Sequence, residues 1–359
     1  MSTIFGNLNL NDTDRVFNAT QGQSVIYDAI MAYVNRVNAE ADAAYGVFVE
    51  ETTPNYKERY KLPGSGYMQE ISPDQKPDAV KSYGSWDVAF PLRNYADAVN
   101  GSLVSRAYMS VAELEAQTLG IVNRSVNTMR RELLRALLYK EDETFVDPLW
   151  GSLTVKALAS GTGDNVLYPP VLGSMTEAVR QRYNGSNYAT ASISDANNPY
   201  ATLQDALVAD FGQQQGNSNI AVFINTAEKA KTIALTDFDP LNDRFVVPGA
   251  NINQLSNLPA SLPGTIIGRT NGCWVIEWPF MPATYMLGVH LDAPAPLKKR
   301  IDPPDTGLGN GLRLVAEDAE YPFKASFWQN RFGFGVGNRL NGYAMQMVTS
   351  TTYTSPTIS

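Results

Sequence analysis

Two stretches near the start of the chain alternate between apolar and polar positions, with a loop between them. The first runs from Tyr56 through Tyr60 to Leu62, and the second through Tyr83, Trp86, Val88, Phe90 and Leu92. Alternation at period two predicts strands with one apolar and one wet face. The intervening Pro63, Gly64, Ser65, Gly66, Ser72, Pro73 and Pro77 are turn and loop chemistry. The pattern therefore predicts a long β-hairpin over residues 50–95 with no third strand next to it in sequence. A lone two-stranded ribbon is marginal in water, because ordering its backbone costs roughly 1–2 kcal/mol per residue. It must rest on something. Helical patterns flank it on both sides, so the expected support is another copy of the same chain. The residues expected at that contact are Tyr56, Lys57, Glu58, Arg59, Tyr60, Lys61, Tyr83, Trp86 and Phe90.

Residues 1–23 are polar and Asn-rich, and read as an extended arm. Ser24 is placed to cap a helix to about Ala44, with Ile26, Ile30, Tyr33 and Val37 at helical spacing. Residues 96–109 read as a linker. The clearest helical pattern follows, over Val111–Thr144. Ser110 and Glu113 form a capping box. Val111, Val122, Val126, Met129, Leu133 and Leu137 make an apolar stripe. A helix of that length would be roughly 50 Å long. Arg124, Arg131 and Arg135 fall on its opposite face, either as a solvated row or as a basic line turned toward nucleic acid.

Beyond Phe145 the pattern is mixed. A short helix is expected near Thr176–Tyr183 and a longer one over Tyr200–Gln213. A strand at Ile220–Ile224 precedes a helix from Thr226, the succession of an α/β layer. Residues 237–263 are loop-rich. Strands return at Thr265–Ile267, Trp274–Trp278 and Tyr285–Val289, and Pro294, Pro296, Pro303 and Pro304 punctuate a linker. A last β region covers Arg313–Ala316, Lys324–Trp328, Phe332–Val336 and Tyr343–Val348. Taken together this is an α+β chain.

Composition narrows the chemistry. Of 359 residues 44% are hydrophobic and 18% charged, a globular balance, and the formal charge of −8 is not the footprint of a general nucleic-acid binder. No apolar run approaches a membrane span, and the first residues lack the pattern of a signal peptide. The chain is expected to stay in a cytoplasm-like compartment until its assembly leaves. The one cysteine, Cys273, reads as a small buried hydrophobe. The one histidine, His290, sits at a strand end with no nucleophile motif beside it. Gly333, Gly335 and Gly337 lack dinucleotide-loop spacing and read as a strand with close backbone approach. Asp237, Asp239 and Asp243 lack the glycine and distal glutamate of a calcium loop and read as an Asp-rich turn. Lys298–Lys299–Arg300 reads as a solvated or interface loop. No catalytic residue, cofactor or metal site is assigned, and the chain reads as a non-enzyme. A soluble hydrolase or binding protein is the competing class.

The order of elements resembles the major capsid protein of tailed bacteriophages, whose fold is shared with encapsulins and the herpesvirus capsid floor. Trp86-Asp-Val-Ala-Phe90-Pro91-Leu92-Arg-Asn-Tyr95 is similar to the descending arm of that family's extended loop. Leu62-Pro-Gly-Ser-Gly66-Tyr resembles the approach to its tip, and Val111–Thr144 the spine helix. Tyr200–Gln213 with Asn219-Ile-Ala-Val-Phe-Ile-Asn225 resembles the axial-domain helix and strand, and Asn330-Arg331-Phe-Gly-Phe-Gly-Val336 the closing peripheral strand. The resemblance implies an N-terminal arm and helix (1–49), an extended hairpin loop (50–95), a peripheral domain with the spine helix (96–147), an axial α/β domain (148–311) and a return to the peripheral domain (312–359). It implies self-assembly into hexamers and pentamers of an icosahedral shell around double-stranded DNA, made in the host cytoplasm. Implied partners are a portal protein, a separate scaffolding protein, a decoration protein, and packaged DNA held by weak non-specific contact, with no membrane partner. The same fold also admits an encapsulin-like nanocompartment storing a cargo enzyme. The family's lysine–asparagine cross-link, expected to be absent here, would draw on Lys57 or Lys61 and Asn341.

Overall fold

The computed structural model describes residues 23–62, 66–78, 85–102, 108, 111–211, 219–240, 262–318 and 323–358. Among them four α-helices form: α1 (Gln23–Ala44), α2 (Val111–Leu138), α3 (Pro199–Phe211) and α4 (Thr226–Ile233). The strands, in chain order, are β1 (Val49–Thr53), β2 (Lys57–Tyr60), β3 (Trp86–Ala89), β4 (Arg93–Ser102), β5 (Glu143–Asp147), β6 (Gly151–Val155), β7 (Leu167–Tyr168), β8 (Ala178–Val179), β9 (Tyr183–Gly185), β10 (Ile220–Ile224), β11 (Asp239–Pro240), β12 (Thr265–Thr270), β13 (Cys273–Glu277), β14 (Tyr285–His290), β15 (Leu297–Arg300), β16 (Arg313–Asp318), β17 (Phe323–Val336) and β18 (Tyr343–Gln346). The mixture of helices and sheets is the α+β class the patterning predicts. The expected N-terminal arm, Tyr83 and most of the loop-rich 237–263 segment lie outside the described residues.

The chain divides into two compact units, each built from three stretches. One comprises the stretch ending at Ala43, Leu92–Arg131 and Ile301–Gly333. Its sheet is centred on β17, which pairs antiparallel with β4 from Phe323↔Ser102 to Phe332↔Arg93, and with β16 from Arg313↔Gln329 to Asp318↔Ala325. Along β17 Ser326, Trp328, Asn330 and Phe332 are buried while Phe327 between them is exposed, the period of a half-buried strand. Trp328 packs with Val34 of α1, Val99 of β4, Ile121 and Val122 of α2, and Leu312. Asn330 donates from Nδ2 to Ser125 Oγ on α2 at 3.0 Å. The Asn38 amide both donates to the carbonyl of Leu312 and accepts from its N–H, each at 3.3 Å.

The other unit comprises Ala44–Pro91, Glu132–Arg300 and Phe334–Ser359. Its seven-stranded sheet has the order β11-β12-β13-β10-β14-β18-β9. Central β10 runs parallel to β13 and antiparallel to β14. All five residues of β10 are buried, as a continuous apolar run between two covered faces requires. Tyr200, Leu203 and Leu207 of α3 join Ile220, Val222, Ile224, Val275 and Met286 in its core. Gly288 lets β14 approach α3: a Cβ there would stand 3.2 Å from Leu207. Asn225 caps α4 by accepting the Ala227 N–H at 2.9 Å.

Several sequence expectations need correction. The spine helix α2 stops at Leu138 rather than Thr144, about 42 Å long at 1.5 Å per residue; Glu143–Asp147 beyond it is β5, paired with β6. Residues 93–102, read as the hairpin's end and a linker, form β4. Its small polar sequence becomes a strand because β17 pairs with it along its whole length, so tertiary context overrides propensity. No helix forms at 176–183; β8 pairs with β7 and β9 with β18. The proline-punctuated linker contains β15, parallel to β1 with Val49 opposite Leu297 and Thr53 opposite Arg300.

Candidate assembly surface

The ribbon forms where the alternation places it, in a shorter paired stretch. Lys57 pairs with Ala89, Glu58 with Val88, Arg59 with Asp87 and Tyr60 with Trp86. Lys57 and Arg59 point to solvent and converge on Asp87. Arg59 makes a fork of hydrogen bonds at 2.6 and 3.0 Å, and Lys57 Nζ lies at 2.6 Å. The two cations hold the Asp87 carboxyl well below the usual range, with Arg59 the larger influence. The pair fixes the register of the two arms on the wet face.

The opposite face meets the ribbon's own unit. Val88 and Phe90 are fully buried and Ala89 nearly so. The Phe90 ring fills the space over Gly335, where a Cβ would lie 2.5 Å from its Cδ1. Tyr60 packs on Trp86 with ring centroids 5.8 Å apart, and the Arg339 guanidinium lies 5.2 Å from the Trp86 ring. Phe90, expected on another copy, is therefore a core residue of its own chain, and Tyr60 and Trp86 are half-covered there. The alternation was legible, but at the ribbon's root the apolar face is absorbed by β15 and the start of the C-terminal stretch, elements more than 200 residues away.

Polar contacts fasten that root. Arg300 of β15 donates from Nη1 to the Phe90 carbonyl at 2.8 Å and to Asp147 Oδ2 at 2.9 Å. Asp147 Oδ1 accepts the N–H groups of Leu149 at 2.9 Å and Trp150 at 3.2 Å, closing the β5–β6 turn. Burial opposes ionisation of Asp147, but the Leu149 N–H, Arg300 and the Trp150 N–H together hold its carboxyl below the usual range. Lys298 reaches Glu51 of β1 at 2.8 Å and Glu58 of β2 at 3.0 Å. Burial works against its charge, yet the two carboxylates outweigh it and raise its pKa. Tyr60 donates its hydroxyl to Glu58 at 2.7 Å. Lys298–Arg300, expected as a solvated or interface loop, is thus a mostly buried strand whose charges are spent on the ribbon's root. The sequence signalled no more than a short run bounded by prolines.

Farther along the ribbon the environment reverses. Every described residue from 66 to 78 is exposed. Met68 is 100% and Tyr67 85% exposed, and Ile71 is also open to solvent. A second exposed apolar group lies at the turn between β5 and β6, where Leu149 is 84% and Val146 71% exposed. Trp150 of that turn stacks on Tyr56, with centroids 4.2 Å apart and planes at 8°. Lys61 is exposed beyond β2.

The arginine row of α2 lies on its outer face, with Arg124 and Arg131 exposed and Arg135 partly so. Arg124 pairs with Asp97 at 2.6 Å, and Arg135 with Glu143 at 3.2 Å while covering the Tyr139 ring. Much of the row's charge is answered within the chain. Cys273 is buried in β13, and burial pushes its thiol up to about 12. His290 is buried, its N–H donating to Asn341 Oδ1 at 2.8 Å. Asn341 is fully buried and donates from Nδ2 to the carbonyls of His290 and Pro294, each at 2.9 Å. Asp237 accepts the Asn271 N–H at 2.8 Å, and Asp243 lies outside the described residues. Among the described residues no group of three or more His, Cys, Asp or Glu side chains could hold a metal ion, and no helix is long and apolar enough to cross a membrane.

No family model and no curated protein matches the chain by sequence. Solved structures do match. A structure from Mycobacterium phage Patience superposes with a TM-score of 0.67 at 17% identity, over 99% of this chain and 97% of that one. The capsid structure of the cyanophage P-SCSP1u superposes with a TM-score of 0.51 at 10% identity, over 85% of this chain and 88% of that one. Both units, the ribbon between β1 and β4 and the long α2 fall within the first of these correspondences, so the chain has the fold of a phage major capsid protein.

Proposed function

We propose that this chain is the shell-forming subunit of a phage-type capsid, assembling with copies of itself into hexamers and pentamers that close around double-stranded DNA. The observation that carries this reading is the end-to-end correspondence with the phage Patience structure, which leaves almost no part of either chain unmatched. The ribbon supports it: its root is built into the subunit's core while its tip holds aromatic and aliphatic side chains in water. Soluble monomers seldom spend large apolar side chains this way without a partner. Each contact can be modest, because closure into rings and a shell adds many of them. The row Arg124, Arg131 and Arg135 would face the packaged DNA and hold it weakly, its charge moderated by Asp97 and Glu143. Portal, scaffolding and decoration proteins are the further partners this reading entails. Mass photometry of the expressed protein tests it. Closed particles of megadalton mass are expected; a monodisperse monomer or small oligomer at all concentrations would refute it.

A further inference from the structure

The two exposed apolar groups of the ribbon's unit lie at opposite ends of one projection. Tyr67, Met68 and Ile71 are at its tip; Val146, Leu149 and Trp150 are beside its root. The root group is built rather than incidental. Its turn is tied by two N–H bonds to Asp147, Asp147 is clamped by Arg300, and Trp150 is stacked flat on Tyr56 at the foot of β2. A buried ion pair thus holds apolar side chains out in water in a fixed geometry, the arrangement of a preorganised contact. We infer that the β5–β6 turn is the seat for the ribbon tip of a second copy of this chain, tip onto root, around each ring. This rests on the shell reading and names its subunit contact.

A second copy is the occupant that the geometry favours. Head-to-tail placement covers both groups at once and generates a closed ring from one heterologous contact, whereas any other partner for the root would leave the tip in water. The area agrees. With roughly 150–250 Å² for a whole aromatic side chain, the root group offers on the order of 300 Å², well below the roughly 800 Å² per partner of a stable pair. It suits one of several repeated contacts and cannot hold an isolated dimer.

Thiol mapping tests the pairing cleanly, because Cys273, the chain's one cysteine, is buried. Met68→Cys and Leu149→Cys chains, mixed, co-assembled and oxidised, are expected to give a disulfide-linked dimer on a non-reducing gel. Neither variant assembled alone should do so, and the double variant should give a ladder of higher multimers. Particles that form normally without the mixed dimer, or Leu149→Cys particles that dimerise alone, would overturn the tip-to-root contact and leave the shell reading standing. If the unsubstituted chain forms no particles, both readings fall. As a second measure, Leu149→Asp should raise the concentration needed for assembly about tenfold or more and leave the melting temperature of the unassembled subunit unchanged. An unchanged assembly threshold would also count against the inference.

Discussion

Truncating Phe90 to alanine separates a ribbon rooted in its own subunit from one that leans on a neighbour. The ring is fully buried, wedged over Gly335, and its carbonyl is held by Arg300. Gly335 has no side chain to swing into the void, and the Arg300 tie restrains the backbone from closing over it. A buried Phe→Ala change of this kind costs about 3–5 kcal/mol. At about 2–4 °C per kcal/mol for a unit of this size, the melting temperature should fall by about 6–20 °C. The assay is calorimetry or circular dichroism on dissociated subunits at low concentration, where no neighbour contributes. Met68→Ala is the companion measurement: Met68 touches solvent alone in the subunit, so its melting temperature should move by no more than about 0.5 kcal/mol's worth, while particle yield falls. If Phe90→Ala subunits melted with the parent chain and lost only assembly, the root would be supported by another copy and the placement of Phe90 in the core would be refuted. By the same reasoning Trp86→Ala should weaken the subunit as well as the particle, since Trp86 packs against Tyr60 and Arg339 of its own chain.

Asp147→Ala should destabilise the dissociated subunit by about 3–5 kcal/mol, because it leaves the Arg300 charge buried without its carboxylate. The Asp147 carboxyl is held below its ordinary value, so its contribution is complete above the unfolded pKa of about 4 and is lost as pH falls through the lower folded value. Urea titrations from pH 7 down to pH 2 should show a shallower loss of stability in Asp147→Asn than in the parent chain; parallel slopes would contradict the pairing. A disulfide thiol reagent should find no reactive cysteine in the native protein and one after unfolding, since Cys273 is buried and its thiol is pushed up to about 12. Arg131→Glu should lower the nucleic-acid content of purified particles, read as the 260/280 nm absorbance ratio, at unchanged particle yield. An unchanged ratio would remove α2 from the DNA-facing surface.

What could be read from the chain was local periodicity. The wet and apolar faces of the ribbon, the stripe of α2 through Val122, Met129, Leu133 and Leu137, and the five apolar residues of β10 all declare their element in a few neighbouring positions. What could not be read was pairing at a distance. Residues 93–102 carry Asn, Asp, Gly and Ser and form a strand only because residues 323–332 lie beside them. Lys298-Lys299-Arg300 looks solvated until Glu51, Glu58 and Asp147 are brought to it from three other elements. The candidate surface divides the same way. Tyr67 and Met68 lie in a recognisable loop, but their exposure next to a buried Phe90 follows from where the core ends. The Leu149–Trp150 turn was missed because the helical pattern was carried past Leu138, where β5 and β6 take over.

A reconstruction of assembled particles by electron cryomicroscopy is the most direct measurement. Closed shells in which residues 66–78 lie against a second copy, with Val88 and Phe90 still enclosed by their own subunit, are the predicted result. Closed shells with that tip bare to solvent, or with the whole ribbon lying back along its own unit, would contradict it.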